Sequence, residues 1–129
     1  MPFRNYILTY LFLHLQHKFR NWDIRDGREA GARFGLSLAK LGDLDRDGFD
    51  DLATGAPYSG ANKEGAIYIF RGGPNGVDEY PSQVILAKNV DPKLRGFGFS
   101  VSGMVDLDGN GYPDLIVGSP DSGQTLYFK

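Results

Sequence analysis

From residue 30 onward the apolar residues come in short runs, each closed by turn-forming residues. Phe34 to Leu41 mixes apolar with small residues, Leu52 to Tyr58 is mostly apolar, and "AIYIF" (66–70) is β-branched and aromatic. "SQVILA" (82–87) is a fourth run of the same kind. The separators "SGANKEG" and "GGPNG" carry the glycine, asparagine and proline of tight turns. No segment after residue 30 sustains a 3.6-residue period, so the pattern predicts short β-strands. The first residues read differently. Phe3, Ile7, Leu11, Leu15 and Phe19 recur every four positions, with Leu8 and Phe12 beside them, which predicts an amphipathic helix through "YILTYLFLHL" (6–15).

The strand pattern repeats. Phe34-Gly35 returns as Phe97-Gly98, and the same offset carries Asp43, Asp45, Gly48, Asp51 and Leu52 onto Asp106, Asp108, Gly111, Asp114 and Leu115. Gly55 and Pro57 return as Gly118 and Pro120, with no gap across "FGLSLAKLGDLDRDGFDDLATGAP" and "FGFSVSGMVDLDGNGYPDLIVGSP". A unit of about sixty residues holding four short strands is the pattern of a propeller blade. The expected architecture is all-β, with a leader over 1–29, a first blade over 30–92 and a second over 93–129. The second blade shows three candidate strands, ending in "QTLYFK" (124–129), so its outer strand is expected to be missing.

Composition narrows the function. The charged fraction of 23% and hydrophobic fraction of 41% suit a folded domain. A net charge of −2 without a Lys/Arg stripe makes nucleic acid a poor partner. The absence of cysteine excludes disulfides, thiolate metal sites and a cysteine nucleophile. The 18 glycines fit many tight turns.

The charge that needs explaining is "GDLDRDGFDD" (42–51), where aspartates crowd against a run that wants burial. Asp43, Asp45, Asp47 and Asp51 occupy loop positions 1, 3, 5 and 9, with Gly48 at position 6. Asp106, Asp108, Asn110 and Asp114 repeat that spacing around Gly111. A hard cation such as Ca²⁺ takes about six to eight oxygens at roughly 2.3–2.6 Å, and short side chains at alternate positions can converge on one point. The backbone carbonyls of Phe49 and Tyr112, at position 7, would add one ligand each. An EF-hand loop needs a glutamate at position 12, whereas Thr54 and Val117 stand there. The rival reading is a solvated acidic turn, but four inward carboxylates without a cation would repel one another. Two Ca²⁺ loops are the expectation.

Paired "FG" and "GAP" motifs around a nine-residue "DxDxDGxxD" loop resemble the FG-GAP repeats of integrin α subunits. The resemblance covers about residues 30 to 129, and the two units look like the last two blades of the seven-bladed integrin head. "GSP" in the second unit stands where the family usually has "GAP", and Asn110 replaces an aspartate. The resemblance implies an extracellular adhesion-receptor subunit at the plasma membrane that pairs with an integrin β subunit. It would bind matrix or cell-surface protein ligands through the complete head. Its calcium loops would stiffen the propeller's lower rim without touching ligand. A different class stays open: a secreted or surface protein using FG-GAP repeats as a scaffold, with an enzymatic domain elsewhere.

Catalysis within these residues finds little support, and the expectation is that the chain is not an enzyme. His14 and His17 lie in the leader, and the clustered aspartates are assigned to cation loops. Tyr68, Phe70, Tyr127 and Phe128 are expected to pack between blades. The leader has three readings: a non-native start, an authentic amphipathic helix, or a signal sequence lacking a small-residue cleavage site. Its apolar stretch is about half the ~20 residues that cross a bilayer, so membrane attachment is expected only through sequence outside these residues.

Overall fold

The computed structural model describes residues 6–8, 24–27 and 29–129. In chain order its strands are β1 (Tyr6–Leu8), β2 (Ile24–Asp26), β3 (Ser37–Gly42), β4 (Asp51–Ala56), β5 (Ala66–Phe70), β6 (Gly72–Gly73), β7 (Gly76–Val77) and β8 (Gln83–Leu86). A single helical turn, α1 (Ala87–Val90), leads to β9 (Ser100–Val105) and β10 (Asp114–Ser119). A 3-10 turn at Pro120–Ser122 then precedes β11 (Gln124–Phe128).

Two antiparallel sheets carry the repeat. The first has the order β3-β4-β5-β8, and the second the order β11-β10-β9. The strand runs read from the sequence fall on β3, β4, β5, β8 and β11, while the small β6–β7 hairpin lies inside a stretch read only as a turn. Equivalent irregularities recur where each sheet meets its aspartate loop. The β3–β4 register shifts between Lys40 and Gly42, and the β9–β10 register shifts between Asp114 and Ile116. Such a bulge bends the strand end and re-aims the residues beyond it.

The sheets stack face to face, with β3 against β9. Between them lies a core of Leu41, Ile67, Leu94, Phe97, Leu115 and Val117. Phe97 meets Phe128 edge-on at 6.0 Å. Backbone bonds cross the same junction, from Gly96 N–H to Lys63 O and from Phe97 N–H to Glu64 O. A second core on the far face of the first sheet holds Phe34, Leu52, Ala56 and Phe70. All six residues of β4 are buried, because both faces of its sheet are covered.

Two expectations need correction. The helix expected through 6–15 does not form where that stretch is described, since Tyr6–Leu8 is a strand paired antiparallel with Ile24–Asp26. A ten-residue stripe is short for a self-supporting helix, and over Tyr6–Leu8 the backbone groups find partners in β2 instead. The rest of that stretch, with His14 and His17, lies outside the described residues. Tyr127 does not pack between the two described blades: it is 56% exposed, while Phe128 joins the core between them. Neighbouring residues on a strand face opposite sides, so the two could not share one interface. Phe70 and Tyr68 do pack, on the first sheet's far face.

The end of the leader is tied to the first sheet. Glu29 accepts bonds from Ser59 Oγ (2.6 Å) and the Gly60 N–H (2.9 Å). Gly27 lies so close to Phe34 that a β-carbon there would sit 2.5 Å from the Phe34 β-carbon.

Candidate metal centre

The two aspartate loops join β3 to β4 and β9 to β10, so both hang from the same edge of the stacked sheets. Their internal bonding matches residue for residue. At position 1, Asp43 accepts the N–H groups of Asp47 (3.0 Å) and Gly48 (2.7 Å), and Asp106 accepts those of Asn110 (3.1 Å) and Gly111 (2.8 Å). At position 3, Oδ1 of Asp45 accepts from the Asp47 N–H, and Oδ1 of Asp108 from the Asn110 N–H. At position 5, Asp47 takes the N–H of Phe49, and Asn110 takes that of Tyr112. Gly48 and Gly111 have φ of 92° and 86°, the left-handed region that L side chains rarely adopt.

This wrapping turns the carboxylates toward one point. Asp43, Asp45 and Asp47 each offer an oxygen within 4.8 Å of the others, and so do Asp106, Asp108 and Asp114. Asp51, the other expected ligand of the first loop, is not among these converging carboxylates: it is buried, and its two oxygens accept the N–H groups of Leu44 (3.0 Å) and Gly72 (2.9 Å). Asp114 is 1% exposed and accepts the Leu107 N–H at Oδ2, while its Oδ1 has no partner. A buried carboxylate oxygen without a donor is costly, and this carboxylate belongs to the converging group, so the residues present fit a cation. Phe49 and Tyr112 hold position 7 with their side chains partly exposed.

The electrostatics follow the geometry. Desolvation, with the charges of Asp47 and Asp51 added, pushes the Asp45 carboxyl above the usual range. Desolvation likewise raises Asp51, against the opposing N–H bonds from Gly72 and Leu44. Desolvation also pushes on Asp43, but the N–H groups of Gly48 and Asp47 outweigh it and hold that carboxyl low. The Gly111 N–H bond is the chief reason Asp106 lies low as well. The first loop therefore combines an anion held low by N–H bonds at Asp43 with Asp45 and Asp51, which resist ionisation, and a bound cation would relieve that conflict.

Three charged contacts escaped the sequence reading. Arg71 Nε lies 3.4 Å from Asp45 Oδ2, and Lys129 Nζ lies 3.7 Å from Asp108 Oδ2. Arg46, at position 4 of the first loop, lies over the ring of Tyr112 in the second, 4.3 Å from its centre. Lining up the ends of the third strands in each repeat would have flagged the first two. The third needs the stacking of the sheets.

The repeat, the two matched loops and the stacked sheets define a class, and family comparison agrees. The FG-GAP repeat pattern matches residues 34–70 and 97–128, and the chain belongs to the FG-GAP repeat family. Its curated relatives include integrin alpha-PS2 of Drosophila melanogaster, 49% identical over 109 residues, covering 82% of this chain and 8% of that protein. Integrin alpha-5 of Xenopus laevis is 50% identical over 107 residues, covering 82% of this chain and 10% of its own length. Integrin alpha-8 of Gallus gallus is 39% identical over 123 residues, 92% of this chain and 12% of its own. That last alignment reaches well into the residues before 30. The chain is similar to the FG-GAP region of integrin α subunits and spans about a tenth of the length of the curated relatives it matches. No helix among the described residues is long and apolar enough to cross a membrane.

Proposed function

We propose that this chain is a calcium-stiffened segment of an integrin α-subunit head, two adjacent blades of its propeller. The first loop holds one Ca²⁺ through Asp43, Asp45, Asp47, the Phe49 carbonyl and Asp51. The second holds another through Asp106, Asp108, Asn110, the Tyr112 carbonyl and Asp114. A bound Ca²⁺ supplies the positive charge that lets these oxygens face one another. The chain's own part is to wrap each loop with backbone N–H bonds, to anchor position 9 under β4 or β10, and to hold the two loops side by side. The observation that carries this reading is the matched N–H bonding at loop positions 1, 3 and 5 of the two loops, each with three carboxylates converging within 4.8 Å. In the whole protein the head would act in cell adhesion at the outer face of the plasma membrane. It would pair there with an integrin β subunit and bind extracellular protein ligands.

Calorimetric titration of the full-length chain tests the metal assignment. At least two Ca²⁺ sites are expected, with weaker uptake of Mg²⁺, whose octahedral demand suits these loops less. The loop with four carboxylates is expected to bind more tightly than the loop with three. No heat at millimolar Ca²⁺, or a preference for Mg²⁺, refutes it. Co-precipitation of a β subunit with the full-length chain tests the receptor assignment, and an ectodomain that stays unpaired when co-expressed with β subunits refutes it.

A further inference from the structure

Arg71 and Lys129 stand at the same place in the two repeats. Leu52 pairs with Phe70 and Leu115 with Phe128, so each basic residue is the first one beyond its blade's third strand. Each reaches back to the aspartate at loop position 3, and each approaches its Oδ2. The other oxygen, Oδ1, accepts the N–H of the position-5 residue in both loops. One cation is a guanidinium and the other an ammonium, yet the geometry recurs. An accidental surface pair has no reason to recur between unlike side chains.

Resting on the calcium reading above, we infer that Arg71 and Lys129 set the cation affinity of their loops, as built-in counter-charges on the position-3 carboxylate. The second loop supports this independently of its acidity, since the buried Asp114 carboxylate belongs to the same cluster and its Oδ1 has no donor. A carboxylate already paired with a basic group is a poorer ligand, and an arriving dication meets a like charge. Both effects lower affinity. In exchange, the cation-free loop carries less self-repulsion. Arg71 and Lys129 are more than half exposed, so solvent screens the effect and an exposed pair of this kind is worth about a two- to five-fold change in affinity.

The test is calcium calorimetry on the full-length chain carrying Arg71→Gln, Lys129→Gln or, as control, Lys40→Gln. Lys40 pairs with Asp50 at 2.6 Å beside the first loop, and Asp50 holds none of the alternating loop positions. Arg71→Gln is expected to tighten one site and Lys129→Gln the other, by about two- to five-fold each, with the gain shrinking as salt is added. The cation-free melting temperature should fall in both variants while the calcium-loaded one holds. Unchanged or weaker binding overturns the inference, because weaker binding means the basic groups orient the ligand instead of competing for it. A Lys40→Gln gain as large as the other two also overturns it, since overall charge then suffices. A wild-type chain that binds no Ca²⁺ removes the calcium reading itself, an outcome distinct from the other two.

Discussion

At Gly55 two blades come close together, and replacing it with alanine should separate them. A β-carbon at residue 55 would lie 1.9 Å from the Gly98 carbonyl oxygen and 2.3 Å from Ser37 Oγ, far inside the 3.0 Å that real contacts respect. The second sheet would have to retreat by at least about 1.1 Å, the difference between those figures. Overpacking of this kind costs about 1–3 kcal/mol. Retreat also stretches the 2.6 Å bond from Ser37 Oγ to the Gly98 carbonyl, for about 1 kcal/mol more. The sum is a loss of about 2–4 kcal/mol, eased slightly by the lower chain entropy of alanine. The repeat supplies its own control. Gly118 is the equivalent of Gly55, but a β-carbon there meets only the rotatable Ser100 Oγ at 2.2 Å, with its next neighbour at 3.6 Å. Gly118→Ala should therefore cost less than about 1 kcal/mol. Urea unfolding of the calcium-loaded full-length chain gives both values. Hydrogen exchange locates the damage, because the Gly96 and Phe97 amides that bond to Lys63 and Glu64 should exchange faster in Gly55→Ala alone. Equal costs for the two substitutions, or unchanged exchange at Gly96 and Phe97, would show that the close approach is not what holds the blades in register.

Gly48→Val and Gly111→Val should weaken calcium binding at their own loops without removing a ligand. Nothing lies within 4 Å of a β-carbon at either position, so the penalty is purely the left-handed backbone; calorimetry showing normal affinity in both would sink this account. Acidification should narrow the gap between calcium-loaded and calcium-free melting temperatures. Asp45 and Asp51 are raised, so they take up protons in the folded cation-free loop before they would in the unfolded chain, and that form gains stability as pH falls through their folded values. Asp43 and Asp106 are lowered, so their contribution is present above the unfolded value and is lost only at more acid pH, as it falls through their folded values. A gap that stays constant from neutral pH down through the carboxylate range would contradict it. Met104→Lys with Tyr127→Lys should reduce self-association of the isolated 129-residue chain, because both apolar side chains are more than half exposed on the second sheet. Sedimentation of the double variant unchanged from the parent would argue against that face.

What could be read in the sequence was whatever the repeat states locally. The alternating oxygens of 43–51 and 106–114 dictate the loops because each side chain bonds to backbone two to seven residues away. The strand runs are bounded by turn residues that act over the same short range. What escaped was set by pairing at a distance. Tyr6–Leu8 reads as the start of a helical stripe until Ile24–Asp26 offers it a partner strand. Asp51 looks like one more loop carboxylate, yet its Oδ1 is held by Gly72 from a hairpin that the sequence showed only as "GGPNG".

The sharpest case is the pair of equivalent positions Leu41 and Met104, which are 1% and 58% exposed. Ile69 and Tyr127 behave alike, at 8% and 56%. Both pairs lie on the same face of their blades, and only the first blade has a neighbour on that face among the described residues. A repeat sequence therefore encodes two sticky faces per blade without saying which of them is covered. The basic residues at 71 and 129 belong to the other kind of information: they sit at the same register in both blades, whatever lies alongside. A contact made within a blade recurs with the repeat, whereas a contact made between blades depends on position in the stack. That distinction assigns Arg71 and Lys129 to the design of each loop and Arg46 over Tyr112 to the junction between these two.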